Sequence, residues 1–158
     1  MDESRLSFYI HKYHSTVYRL AYSYLKNPDD AEDVVQEAFL RLYLSNNKFD
    51  TDENVKAWLI RVAINLSKDM LKSAWLRGRT ELSKDIPAVH SEDDTINDVI
   101  NKLRPEYRSI ILLFYYEGYS TKEISQLCGI SVSAATTRLS RARKQLKKLL
   151  LKEGYYEE

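Results

Sequence analysis

One cysteine in 158 residues cannot close an internal disulfide, and Cys128 standing alone points to a reducing compartment. Glycine is nearly as scarce, at four residues, and proline scarcer, at three, too few for the many tight turns of a β-sandwich or barrel. No stretch approaches the roughly 20 consecutive apolar residues of a membrane span, so no membrane insertion is expected. The first residues carry no apolar run behind a basic flank; no signal peptide is expected, and the expected location is the cytoplasm. What is present is 44% hydrophobic and 30% charged, a balance that argues against wholesale disorder and can bury one ordinary core or two small ones. Abundant Leu, Lys, Glu and Ala make the expected class all-α.

A large net charge is missing too. The formal total is +1, which taken whole argues against a nucleic-acid partner, but it hides an asymmetry. Ten basic and eleven acidic residues fall in 1–75, three and five in 76–95, and eleven and seven in 96–158. Residues 131–152 hold seven basic side chains and no acidic one. A phosphate backbone responds to local charge, and this last segment supplies it.

Apolar residues at three- and four-residue steps predict a helix over 4–26, with Ile10, Tyr13, Val17, Leu20, Ala21 and Tyr24 on its buried face. Asn27 suits the cap of the next helix and Pro28 its first position. Asp29, Asp30, Glu32 and Asp33 follow where the helix dipole favours negative charge, and Ala31, Val35, Ala38 and Leu42 form the buried stripe. Residues 46–53 are polar and read as a loop, with Phe49 their one large apolar side chain. A third helix is expected over 54–76, with Val55, Trp58, Leu59, Val62, Leu66 and Met70 inward and Lys56, Arg61, Asn65, Lys68 and Lys72 outward.

Residues 77–94 contain Gly78, Pro87 and an acidic run without periodicity, and read as a flexible linker. Beyond it Ile96, Val99, Ile100 and Leu103 mark a short helix, and Tyr107, Ile110, Ile111 and Phe114 another that stops near Gly118. Ser120 and Glu123 match a capping box. Cys128, Gly129 and Ile130 make a tight turn, and Ser131 can cap a last helix reaching about Lys152. The expected organisation is two small helical domains, 1–76 and 95–158, joined by 77–94.

A short capped helix, a glycine turn and a longer basic helix constitute a helix-turn-helix. Ile124, Leu127, Ile130, Ala135 and Leu139 would pack its two helices together, leaving Ser133, Thr136, Thr137, Ser140 and Arg141 outward. Short hydroxyls and an arginine suit phosphates and base edges in a major groove, and Lys144, Lys147 and Lys148 continue the basic surface. A plain αα-hairpin with a solvated face would interleave charges of both signs; this face has no acid.

Two further features are weaker by themselves. Asp33, Gln36 and Glu37 stand at i, i+3 and i+4 and share one face, although acids early in a helix often serve only its dipole. Arg61, Asn65, Lys68 and Lys72 repeat at helical spacing near Phe49, which is expected to be an exposed aromatic. Basic groups interleaved with aromatics suit single-stranded nucleic acid.

Taken together, DAEDVVQEAF at 30–39, AWLIRVAINLSKD at 57–69 and RLSRAR at 138–143 resemble bacterial extracytoplasmic-function (ECF) sigma factors. The resemblance covers nearly the whole chain, in order. It implies a sigma-2 domain, a linker and a sigma-4 domain that bind core RNA polymerase and promoter DNA and open the DNA around the start site. By motif position it implies that Asp33, Gln36 and Glu37 dock on the polymerase. It places Phe49, Arg61, Asn65, Lys68 and Lys72 at the −10 element, with Asn65 reading a flipped base and Phe49 in the loop beside it. It places Ser133, Thr136, Thr137, Arg138, Ser140, Arg141 and Lys144 at the −35 element. Where many relatives have Thr-Val-Lys-Ser or Thr-Val-Arg-Ser, this chain has Ala134, Ala135, Thr136 and Thr137, so no promoter sequence is implied. An anti-sigma partner, a monomer when free, no cofactor and no catalytic residue complete the expectation.

Readings from other classes make different demands. A Mg²⁺-dependent nucleotide hydrolase would need Asp29, Glu32, Asp33 and Glu37 to converge, and would leave the C-terminal module unexplained. A helix-turn-helix repressor would be a dimer on palindromic sites. His11 and His14 lack a third ligand, and Cys128 reads as packing in its turn.

Overall fold

The computed structural model of the protein describes residues 1–78 and 94–154. Every regular element among the described residues is helical. The chain divides into two compact units, Met1–Lys84 and Asp85–Glu158. Of the expected linker 77–94, residues 79–93 lie outside the described residues.

In the first unit, α1 (Glu3–Leu25), α2 (Pro28–Leu44) and α3 (Asp52–Leu76) each pack on the other two. Their ends are set by local chemistry. Asp2 accepts from the Arg5 amide, Asn27 from Asp30 ahead of Pro28, and Thr51 from Asn54. The Thr51 cap starts α3 two residues before the periodicity would. α1 ends at Lys26, whose φ of 51° lies in the left-handed region.

The buried face of α3 differs from the expected one. Val55 and Leu59 are buried, but Trp58, Val62, Leu66 and Met70 are only half-buried. Ile60, Ala63, Ile64 and Ser67 take the centre instead. A helix against two neighbours buries two adjacent stripes, and a single periodic stripe locates only one of them. On α1 the expected Tyr13, Val17, Leu20, Ala21 and Tyr24 are buried, whereas Ile10 is half-buried and Tyr9 is buried beside it.

Tyr9 belongs to a polar knot around the start of α3. Its hydroxyl donates to Asp52 Oδ1 at 2.9 Å, Lys12 Nζ donates to Oδ2 at 3.0 Å, and the Tyr13 hydroxyl donates to the Asp52 carbonyl at 3.0 Å. The Lys12 and Tyr9 hydrogen bonds hold the Asp52 carboxyl below its ordinary pKa of 3.8. A depressed folded pKa contributes stability above the ordinary value that is lost as pH falls through the folded one. Asp52→Asn should therefore lower the melting temperature at pH 7, and the gap to the parent should close as pH falls below about 4. Thermal melts at descending pH measure this; a gap that persists undiminished at the acid end would assign the effect to something other than the carboxylate charge.

In the second unit α7 (Val132–Lys152) is the hub, with α4 (Asp94–Asn101), α5 (Pro105–Ile111) and α6 (Thr121–Cys128) all against it. Val99, Leu103, Ile110, Leu113, Ile124 and Leu139 fill the core. Ile96, expected inward, is 54% exposed, because it sits in the first turn of α4 at the edge of the packed face. Arg108 is buried and donates through Nη1 to the Leu103 carbonyl, fastening the end of α4 to α5. Lys102 pairs with Glu153 between the α4–α5 connection and the end of α7.

A π-helical turn, Leu112–Tyr116, continues α5 where periodicity suggests an uninterrupted α-helix. The wider turn shifts the register and leaves Tyr115 and Tyr116 exposed. Arg143 of α7 clamps it, donating from Nε to the Tyr115 hydroxyl at 2.6 Å with its guanidinium 5.2 Å from the Phe114 ring centre.

Candidate nucleic-acid interface

Capping hydrogen bonds fix the starts of α6 and α7. Ser120 accepts from the Glu123 amide at 3.1 Å while Glu123 accepts from the Ser120 amide at 3.0 Å. Hydrogen bonding to its carboxylate from the Ser120 amide, and then from the Ser120 hydroxyl, lowers the Glu123 pKa, since it favours the charged form. Gly129 closes α6 with φ of 67°, a conformation that strains any side chain-bearing residue. Ser131 then accepts from the Ala134 amide at 3.0 Å and starts α7. Ile124, Leu127, Ala135 and Leu139 are buried between the helices; Ile130 is half-buried, and Ala142 extends the packed stripe.

The opposite face of α7 presents Ser133, Thr136, Thr137, Ser140, Arg141 and Lys144, all exposed, with Lys147 and Lys148 beyond them. Arg138 stands apart: it is half-buried, on the flank between this face and the packed one. Arg143 is occupied by the π-turn aromatics.

In the first unit, α3 exposes Arg61, Asn65, Lys68 and Lys72 on one face. Phe49 is not the exposed aromatic expected. It is half-buried and packs edge-on to Trp58, ring centres 5.9 Å apart. Beside it lies a cavity of about 310 Å³ lined by Met1, Arg5, Ser45, Asn46, Asn47, Lys48 and Phe49. Asn65 is not among the residues that line that cavity.

α2 exposes Asp33 and Gln36; Glu37 is half-buried and accepts from Arg41 Nε at 3.0 Å. Gln36 also borders an apolar groove between α1 and α2 that includes Ile10, Val35, Phe39, Leu40 and Tyr43. Leu40, 51% exposed, and Tyr43 continue the Asp33–Gln36 face at helical spacing. Charge patterning does not single out either residue; their spacing is the signal that does.

Among the described residues no three His, Cys, Asp or Glu side chains converge to hold a metal. His11 donates from Nδ1 to the Ser7 carbonyl, and His14 Nε2 lies 3.5 Å from Glu32. No described helix is long and apolar enough to cross a membrane.

The Sigma-70 region 2 family matches residues 9–77, and the Sigma-70, region 4 family matches residues 93–146. The chain is 32% identical over 169 residues to the ECF RNA polymerase sigma factor SigW of Bacillus subtilis (strain 168), covering 94% of this chain and 90% of that protein. To the RNA polymerase sigma factor SigV of the same organism it is 33% identical over 141 residues, covering 86% and 85%. The fold is shared with the sigma factor RpoE solved with the anti-sigma factor NepR from Bartonella quintana, at a TM-score of 0.70 and 24% identity over 89% of this chain and 93% of that one. It is shared also with CnrH, solved with the cytosolic domain of CnrY, at 0.65 and 24% over 94% and 89%. The family matches to both sigma regions and the 32% identity to SigW over most of both chains show one thing: the chain belongs to the ECF family of RNA polymerase sigma factors.

Proposed function

We propose that this transcription initiation factor divides its work among three exposed faces, each on a different helix. Residues 1–76 form the sigma-2 domain, 95–158 the sigma-4 domain, and 77–94 join them. The α2 face of Asp33, Gln36 and Glu37, extended by Leu40 and Tyr43, docks on core RNA polymerase. The α3 stripe of Arg61, Asn65, Lys68 and Lys72, with Phe49 at its side, takes the −10 element. The α7 face of Ser133, Thr136, Thr137, Ser140, Arg141 and Lys144 takes the −35 element, with Arg138 steadying its flank. The observation that carries this reading is the segregation itself: an acid-and-apolar face on α2, a basic and amide-bearing stripe on α3, and an acid-free face on α7.

The protein works in the cytoplasm with polymerase on the nucleoid, is monomeric when free, and performs no catalysis of its own. An anti-sigma factor holds it inactive; support comes from RpoE and CnrH, solved in complexes with NepR and with the cytosolic domain of CnrY.

The α7 assignment has a direct test. A recognition helix reads bases mainly through its N-terminal residues, while lysines further along reach phosphates. Arg141→Ala should cost about 1–3 kcal/mol on cognate duplex and much less on a scrambled one. Lys147→Ala should weaken both similarly and reduce the salt slope by roughly one unit. Salt titrations of polymerase complexes on both duplexes decide it. Equal losses for Arg141→Ala on the two would leave that arginine a phosphate contact and pass base reading to the threonines.

A further inference from the structure

The exposed stripe of α3 does not end at Lys72. The three- and four-residue steps linking Arg61, Asn65, Lys68 and Lys72 continue to Trp75, in the last turn of the helix. Trp75 is 77% exposed. Its neighbour Ala74, 3% exposed, makes the packing contact at this point, so the core does not require an indole here. The chain has two tryptophans, and the other, Trp58, is half-buried against Phe49. With the adjacent Leu76 also exposed, the end of α3 presents a contiguous apolar surface whose indole is free to contact a partner.

Charge indicates what covers it. α3 carries Lys56, Arg61, Lys68 and Lys72; of its acids, Asp52 and Glu53 lie in the first turn, far from Trp75, and Asp69 borders the stripe. A row of exposed cations ending in a flat aromatic suits a single strand, whose phosphates need charge and whose unstacked bases need a π face. At 1.5 Å per residue, Trp75 lies about 15 Å along the helix from Asn65. An unpaired strand laid along the stripe covers that distance in a few nucleotides.

We propose that Trp75 is a promoter-contacting residue whose indole stacks on an unpaired base a few nucleotides from the base taken at Asn65. The inference rests on the proposed role of the α3 stripe at the −10 element.

The test uses complete holoenzyme on a promoter it transcribes, with 2-aminopurine placed at successive positions of the melted segment. One position a few nucleotides from the Asn65-dependent one should be quenched by stacking. Trp75→Ala should relieve that quenching and lower open-complex occupancy roughly tenfold, while Trp75→Phe retains most of both. Core binding should stay as in the parent. If Asn65→Ala impairs opening and Trp75→Ala changes nothing at any position, the Trp75 inference is overturned and the stripe stands. If neither variant impairs opening, the stripe reading itself falls. If Trp75→Ala weakens binding to core or to an anti-sigma factor with quenching unaltered, Trp75 is a protein-docking residue and the inference is likewise overturned.

Discussion

Charge reversal at Asp33 and Glu37 together should abolish binding to core RNA polymerase while leaving the thermal transition almost unmoved. The stability half follows from what these side chains touch. Asp33 is exposed and, at the sixth position of α2, lies beyond the first turn, where the helix dipole acts. Glu37 has the half-exposed Arg41 as its partner, and such i,i+4 pairs contribute about 0.3–0.5 kcal/mol. The binding half follows from their setting. Both flank Gln36, Leu40 and Tyr43, a face with an apolar centre and an acidic edge, fitted to a basic partner surface. Losing one partner of an interfacial charge pair costs about 2–5 kcal/mol or more, roughly thirtyfold to several thousandfold, and reversing two adds repulsion. Gel filtration with core polymerase, alongside a circular dichroism melt, reads both halves. A variant that unfolds would make the two acids structural, and one that still binds core normally would move the docking face elsewhere.

Asn65→Ala should cut open-complex formation by about tenfold or more while leaving sigma-4 binding to an isolated −35 duplex intact. An amide can donate to and accept from one base edge at once, and such a pair contributes about 1–3 kcal/mol of discrimination. Asn65 is exposed mid-helix, where alanine is the better helix former, so the variant should be at least as stable as the parent. That separates a lost DNA contact from a lost fold. Permanganate reactivity of melted thymines measures opening; unimpaired melting would remove Asn65 from the promoter-reading set.

Local chemistry makes much of this architecture legible in the sequence. Asn27-Pro28, the Ser120–Glu123 capping box and the Gly129–Ser131 turn each fix a helix end through short-range hydrogen bonds, and short-range interactions are what neighbouring residues encode. The outward face of α7 is equally legible, because the helix-turn-helix packs it on one side only. α3 is harder. It packs on two helices, and the stripe that periodicity marks is not the one at the centre of the core. Phe49 reads as exposed because a polar loop surrounds it, whereas its burial comes from Trp58 nine residues away. The π-turn has no side-chain signature, and its clamp, Arg143, sits 28 residues from Tyr115. Trp75 falls by spacing on the outward stripe, but only its exposure shows that the indole is left uncovered there.

The measurement that bears most directly on the sigma-factor function is transcription from a genomic library by core polymerase, with and without this protein, with start sites mapped. A discrete set of start sites should appear only when the protein is present, be lost with the Asp33/Glu37 reversal, and share upstream elements at fixed spacing. No new start sites, together with dimeric binding of the protein alone to palindromic DNA, would contradict this function and make the chain a repressor.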